Sequence, residues 1–143
     1  MGKKTTKPKI SPDEYRKILE QVGLKSIFMD ACFMKIRREK LGSNMRLDVR
    51  HKPSYQIEDG NRATVISDYE IIATKTTKKE FAVKIGGAYH VVLTSESPFS
   101  GEFMDIYSQS NLQMNTWPYF REFVQSMIQK AGLPPLTLPF LKS

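Results

Sequence analysis

Between Lys25 and Ile36 the chain alternates with a period of two, and both alternations are apolar. Phe28, Cys32, Met34 and Ile36 fall on one side, and Ile27, Met29, Ala31 and Phe33 on the other. Successive side chains of a strand point to opposite faces, so such a strand must cover something on each. Any fold open to this chain has to meet that demand.

The rest of the pattern supplies a sheet and then helices. Met45, Leu47 and Val49 alternate with Arg46, Asp48 and Arg50, a half-buried second strand after a polar loop over Arg37–Asn44. Glu58-Asp59-Gly60-Asn61 is a turn by residue type. Ala63–Thr74 is a third strand, with Val65, Tyr69, Ile71 and Ala73 alternating, and Thr76–Lys79 is a polar hairpin connection. Glu80–Val92 is the fourth strand, in which Phe81, Val83 and Ile85 alternate up to Gly86-Gly87. Paired glycines inside a strand indicate a bulge or a close backbone approach. Without the Gly-Lys-Ser/Thr ending of a phosphate loop, a bulge is the better explanation here.

Helices flank this sheet. Ser11-Pro12-Asp13-Glu14 reads as an N-cap, a proline in the first turn and a capping-box glutamate. Tyr15, Ile18, Leu19 and Val22 follow at helical spacing, with Gly23 as the stop. After Pro98, Phe103, Met104, Ile106 and Tyr107 form a short helix. A break at Asn115-Thr116 precedes a longer helix from near Pro118, with Tyr119, Phe120, Phe123, Val124, Met127 and Ile128 inward. Gly132 and Pro134-Pro135 end it, and Leu133–Leu141 continues as an extended apolar tail. The expected fold class is α+β: a four-stranded antiparallel sheet packed with C-terminal helices, plus a short N-terminal helix. Residues 11–143 form one domain, with the extra helix at 11–23 and a disordered basic tail at 1–10.

A chain of 143 residues at 40% hydrophobic and 26% charged content needs no metal or disulfide to hold its core. No apolar run reaches the roughly 20 residues of a membrane span, and no signal peptide is expected from the first residues. The lone Cys32 fits a reducing, cytoplasmic setting. Gly2 and Thr6 match the loose myristoylation pattern, which chance also produces. The net charge is +7, and removing Lys3, Lys4, Lys7 and Lys9 leaves +3. Arg37, Arg38 and Lys40 form a second basic cluster, read as a solvated loop rather than a phosphate site.

Groups for catalysis are scarce. His51 and His90 are far apart, no paired cysteines or HExxH spacing offer a metal site, and no GxSxG elbow exists. Asp68 and Glu70 share a strand face, as solvated carboxylates commonly do. No catalytic residue, metal or cofactor is expected. The excess lies elsewhere: Met29, Met34, Met45, Met104, Met114 and Met127 accompany many aromatics. Adaptable methionines suit a core, an oligomer interface or a promiscuous apolar binding surface.

The segment Asn115-Thr116-Trp117-Pro118-Tyr119-Phe120-Arg121-Glu122, continued by Gly132-Leu133-Pro134-Pro135-Leu136-Thr137-Leu138-Pro139, resembles the SecB protein-export chaperones. Their corresponding stretch runs Pro-Tyr-Ala-Arg-Glu and then Gly-x-Phe-Pro-x-Leu-x-Leu-Ala-Pro. Upstream, Ser26 to Phe33, Arg46-Leu47-Asp48-Val49, Tyr69-Glu70-Ile71-Ile72 and Phe81-Ala82-Val83-Lys84-Ile85 resemble that family's four strands. The resemblance covers nearly everything after residue 25, leaving out the N-terminal helix and the basic tail.

The resemblance implies an ATP-independent holdase, a homotetramer built as a dimer of dimers, with hydrophobic grooves that bind unfolded polypeptide. It points to Phe28, Phe33, Met34, Leu41, Met45, Leu136 and Leu138 as the groove. Val83 and Ile85 would contribute to subunit pairing, while Tyr119, Phe123 and Met127 would anchor the long helix and its dimer contact. Where export chaperones carry acids that dock on the SecA motor, this chain has Lys84 and Met34, and keeps only Asp30 nearby. That exchange replaces attraction with repulsion and weighs against docking on SecA. The clients implied are export preproteins or a dedicated antitoxin, as in toxin–antitoxin–chaperone systems. The rival reading is a non-chaperone interaction protein whose basic tail binds nucleic acid or acidic partners.

Overall fold

The computed structural model describes residues 10–75 and 80–135. In chain order these are α1 (Pro12–Glu20), β1 (Val22–Ile36), a short 3-10 turn at Arg38–Lys40, β2 (Met45–Ile57), β3 (Arg62–Lys75), β4 (Phe81–Ser95), α2 (Gly101–Gln109) and α3 (Asn111–Lys130). The strands form one antiparallel sheet in the order β1-β4-β3-β2. The α+β reading therefore holds, with β1 and β2 at opposite edges. The Thr76–Lys79 connection and the tail beyond Pro135 lie outside the described residues.

Local signals set the N-terminal helix. Ser11 caps α1, accepting from the Glu14 amide while the Glu14 carboxylate accepts from the Ser11 amide. The helix stops at Glu20, earlier than the expected Gly23. Val22 and Gly23 instead begin β1, opposite Ser95 and Thr94 of β4. Pairing with a strand that arrives some 70 residues later outweighs the helical spacing of Val22.

The two apolar alternations of β1 do not each keep to one face. The register with β4 steps past Lys25 and again past Asp30. Each step inserts one residue, and one residue reverses which face a side chain takes. Ile27 and Met29 lie opposite Val91 and Tyr89 on the helix-covered face. Beyond Asp30 it is Cys32, Met34 and Ile36 that share that face, opposite Gly87, Ile85 and Val83. Phe28 and Phe33, separated by parity in the sequence, lie together on the uncovered face opposite His90 and Gly86.

Two apolar clusters fill the space between sheet and helices. Under α3, Tyr69, Ile71, Val83, Ile85 and Tyr89 meet Trp117, Phe120, Val124 and Ile128. Under α2, Val65, Val91 and Leu93 meet Phe103, Met104 and Tyr107, with α1 laid against them through Tyr15, Ile18 and Leu19. Gly86-Gly87 is not a bulge, since both residues pair in register with β1 and β3. It is a close approach on both faces: a Cβ at Gly86 would overlap the Phe33 ring, and one at Gly87 would meet Phe120 at 3.3 Å.

The break between the helices falls at Ser110, not at Asn115-Thr116, and α3 runs through Pro118 without interruption. Asn115 donates to the Tyr107 hydroxyl at 2.7 Å, and Thr116 donates to the Leu112 carbonyl at 2.9 Å. These partners satisfy both polar side chains inside a helix. Among the described residues no helix is long and apolar enough to cross a membrane.

Thr116 also joins a buried polar chain that pins α3 to the sheet. Its hydroxyl lies 2.9 Å from both Ser67 Oγ and Tyr69 Oη, and Ser67 Oγ lies 2.6 Å from His51 Nε2. Burial lowers the His51 pKa below its ordinary value, more than the Asp68 carboxylate raises it. A depressed folded value means that the unfolded chain takes up this proton first on acidification. Stability from this group is complete above the unfolded value near 6.5 and is lost as pH falls through the folded one. Urea midpoints measured downward from neutral pH are expected to drop more steeply for the wild type than for His51→Asn. Parallel pH profiles would remove His51 from the account.

Candidate functional site

Consecutive strands on opposite edges force residues 37–44 to cross the ends of β4 and β3. Three strand spacings are about 14 Å, so eight residues have slack, and the 3-10 turn takes it up. The crossing is tied down by the cations that the sequence suggested were solvated. The Arg37 amide donates to the Ala82 carbonyl at 2.7 Å and its guanidinium lies 4.1 Å from the Phe81 ring centroid. Arg38 donates to the Ala131 carbonyl at 2.9 Å, where a cation complements the end of α3. Lys40 pairs with Glu80 at 2.6 Å.

The other wall comes from the end of α3. Gly132 takes φ +71, its amide donates to Gln129 and the Leu133 amide donates to Ile128. This is a Schellman ending, which turns Leu133 back over Ile128. Pro134 and Pro135 then continue past the crossing loop. Between the walls lies an apolar hollow of about 310 Å³, lined by Leu41, Gly42, Ser43, Met45, Ala73, Val83, Ile128 and Leu133–Pro135. A second hollow, about 360 Å³, shares Ile128, Leu133 and Pro135 and adds Val124, Gln125 and Gln129. The two hollows adjoin at Ile128, Leu133 and Pro135 and together form a two-compartment groove.

Of the residues expected in the groove, Leu41 and Met45 line it, and Met34 packs against the same core cluster. Phe28 and Phe33 lie on the other face of the sheet, 47% and 40% exposed. Leu136 and Leu138 fall outside the described residues. Ile128, Leu133, Pro134 and Pro135 were not singled out as groove residues, although the Gly-Leu after the helical run was the available signal. Val83 and Ile85 are 3% and 0% exposed under α3, so neither has surface to give a neighbouring subunit. Their outward-facing neighbour is Lys84. Tyr119, Phe123 and Met127 lie along one side of α3, with Tyr119 55% exposed and the other two half-buried.

The three positions compared with a motor-docking site are also divided. Asp30 pairs with His90 at 3.6 Å and Lys84 lies on the uncovered face, whereas Met34 is on the covered one. On the uncovered face Lys84 stands directly opposite Lys35. Like charges so placed destabilise a sheet. Lys84 Nζ lies 4.5 Å from the Phe81 ring and Lys35 Nζ lies 5.8 Å from Phe33. Among the described residues no group of three or more His, Cys, Asp or Glu could hold a metal ion.

No protein-family model matches this chain, and no curated protein matches it. Solved structures do. The SecB-like chaperone Rv1957 of Mycobacterium tuberculosis, in complex with a ChAD peptide from the Rv1956 HigA1 antitoxin, superposes with TM-score 0.76 at 14% identity. The match covers 90% of this chain and 96% of that one. A protein of unknown function from Streptococcus agalactiae matches with TM-score 0.51 at 12% identity, over 83% of this chain and 97% of that one. The fold is thus that of a SecB-like chaperone.

Proposed function

We propose that the chain is an ATP-independent, SecB-like holdase that binds unfolded polypeptide in the groove beside Leu133–Pro135. The observation that carries this reading is the groove itself. It is largely apolar, and a crossing loop and the Leu133–Pro135 segment after α3 wall it beside Met45, Ala73 and Val83 of the sheet. Such a site takes side chains of varied shape without reading their order. The fold neighbour's complex with an antitoxin peptide supports polypeptide as the ligand class. A dedicated antitoxin and general export preproteins both suit such a groove, and Lys84 speaks against docking on SecA.

Magnitudes favour several grooves acting together. Burying one large apolar side chain is worth about 1.5–3 kcal/mol, so one anchor in each hollow supplies about 3–6 kcal/mol. That corresponds to binding near the millimolar range, before ordering costs. Retention of a client then depends on linked sites. A cytoplasmic homotetramer with residues 11–143 as one domain would supply them, and the Tyr119–Phe123–Met127 side of α3 is the contact we propose.

An unfolded model protein diluted from denaturant, followed by light scattering without ATP, tests the reading. Suppression of aggregation at about one tetramer per client is the expected result. Unchanged scattering, together with no binding of an unfolded antitoxin segment, would overturn it.

A further inference from the structure

The uncovered face of the sheet carries a feature that a groove on the opposite face does not use. Lys35 and Lys84 oppose each other across β1 and β4, and Arg37 lies against the same Phe81 ring as Lys84. Among the described residues none of these three cations forms an ion pair, and the undescribed segments contain no Asp or Glu. Elsewhere on the face acids and bases stand together: Asp48 lies 3.7 Å from Arg46, Glu70 lies 3.9 Å from Arg50, and Asp68 stands opposite Lys52, while Asp30 has the His90 ring at 3.6 Å. At the Lys35–Lys84 end, by contrast, two lysines face each other across adjacent strands with Arg37 beside them.

Beside it lies exposed apolar surface. Gly86 lets the Phe33 ring lie against the backbone, and Phe28 stacks on His90 at 5.0 Å. Opposed lysines break a local rule of sheet stability, and such violations belong where a ligand offsets them. From this juxtaposition we infer that the Lys35–Lys84–Arg37 end of the uncovered face binds an acidic polypeptide segment in which carboxylates alternate with apolar residues. The carboxylates would meet the three cations, and an apolar side chain between them would cover Phe33.

Polypeptide is favoured over nucleic acid by the charge layout. A single strand needs a run of cations that follows its phosphates. Here the cations further along the face, Arg46, Arg50 and Lys52, each stand beside a carboxylate, Asp48, Glu70 and Asp68, which would repel the phosphates of a longer strand.

The test uses the full chain and a fluorescein-labelled peptide of alternating Glu with Leu or Phe, read by anisotropy. The Glu peptide is expected to bind about tenfold more tightly than its Gln counterpart, with the difference shrinking as salt rises. Lys35→Glu with Lys84→Glu is expected to reverse the preference toward a Lys version of the peptide. The groove variant Leu41→Asp with Met45→Glu is expected to bind the Glu peptide as the wild type does. This last result separates the site from the holdase reading. Equal affinity for Glu and Gln peptides, an unchanged preference after charge reversal, or tighter binding of oligothymidine would each overturn the inference.

Discussion

Phe120→Ala is expected to lower the free energy of unfolding by about 3–5 kcal/mol, a large share of the 5–15 kcal/mol typical of a domain. The ring is 0% exposed and stacks on Tyr69 at 4.9 Å with an interplanar angle of 11°. Trp117, Phe123 and Tyr89 surround it at 5.9, 6.3 and 6.5 Å. The cost of a large-to-small change depends on how far neighbours can collapse into the space. Here they are rigid rings, and the strand residue below is Gly87, which has no side chain to move in. Tyr119→Ala, one residue earlier on the same helix, removes a ring that is 55% exposed within the subunit and is expected to cost the subunit's own fold under about 1 kcal/mol, apart from what it contributes to the proposed subunit contact. Urea denaturation of the two variants checks the contrast. A Phe120→Ala loss no larger than that of Tyr119→Ala would mean that α3 does not seat on the sheet as described.

That contrast also shows what the sequence could and could not convey. Phe120, Val124 and Ile128 were legible as core because their spacing is helical and local. Tyr119 was expected beside them, yet an apolar residue next to a buried stripe is not thereby inside it. The capping box at Ser11 and Glu14 and the Gly132 stop were legible for the same reason, as their partners lie within a few residues. Long-range partners decided the rest. The step past Asp30 in β1 has no residue-type signature, and it regrouped the candidate site. It moved Phe33 to the uncovered face beside Phe28 and Met34 to the covered one. The continuity of α3 through Thr116 depends on Ser67 and Tyr69, nearly 50 residues away. Pairing order could not be read from alternation either. The strand order β1-β4-β3-β2 is what sends the Arg37–Asn44 loop across the sheet end and creates a groove wall.

Leu41→Asp with Met45→Glu is expected to abolish client retention while leaving the protein folded. Leu41 sits on the crossing loop, and Met45 is the first residue of an edge strand, so neither lies at the centre of the core. Both line the hollow, and a client side chain entering it would have to desolvate a carboxylate with no buried partner. The penalty for such a group is several kcal/mol after relaxation. It exceeds the about 1.5–3 kcal/mol that one apolar anchor gains. Binding at that compartment is therefore expected to fall by about a hundredfold or more, and aggregation suppression to vanish at wild-type working concentrations. Phe28→Ser with Phe33→Ser changes comparable apolar surface on the other face and is expected to leave suppression near the wild-type level. The opposite ranking, with the phenylalanine variant inactive and the loop variant intact, would move the client site to the uncovered face. Circular dichroism and the urea midpoint, read on both variants, separate a lost site from a lost fold.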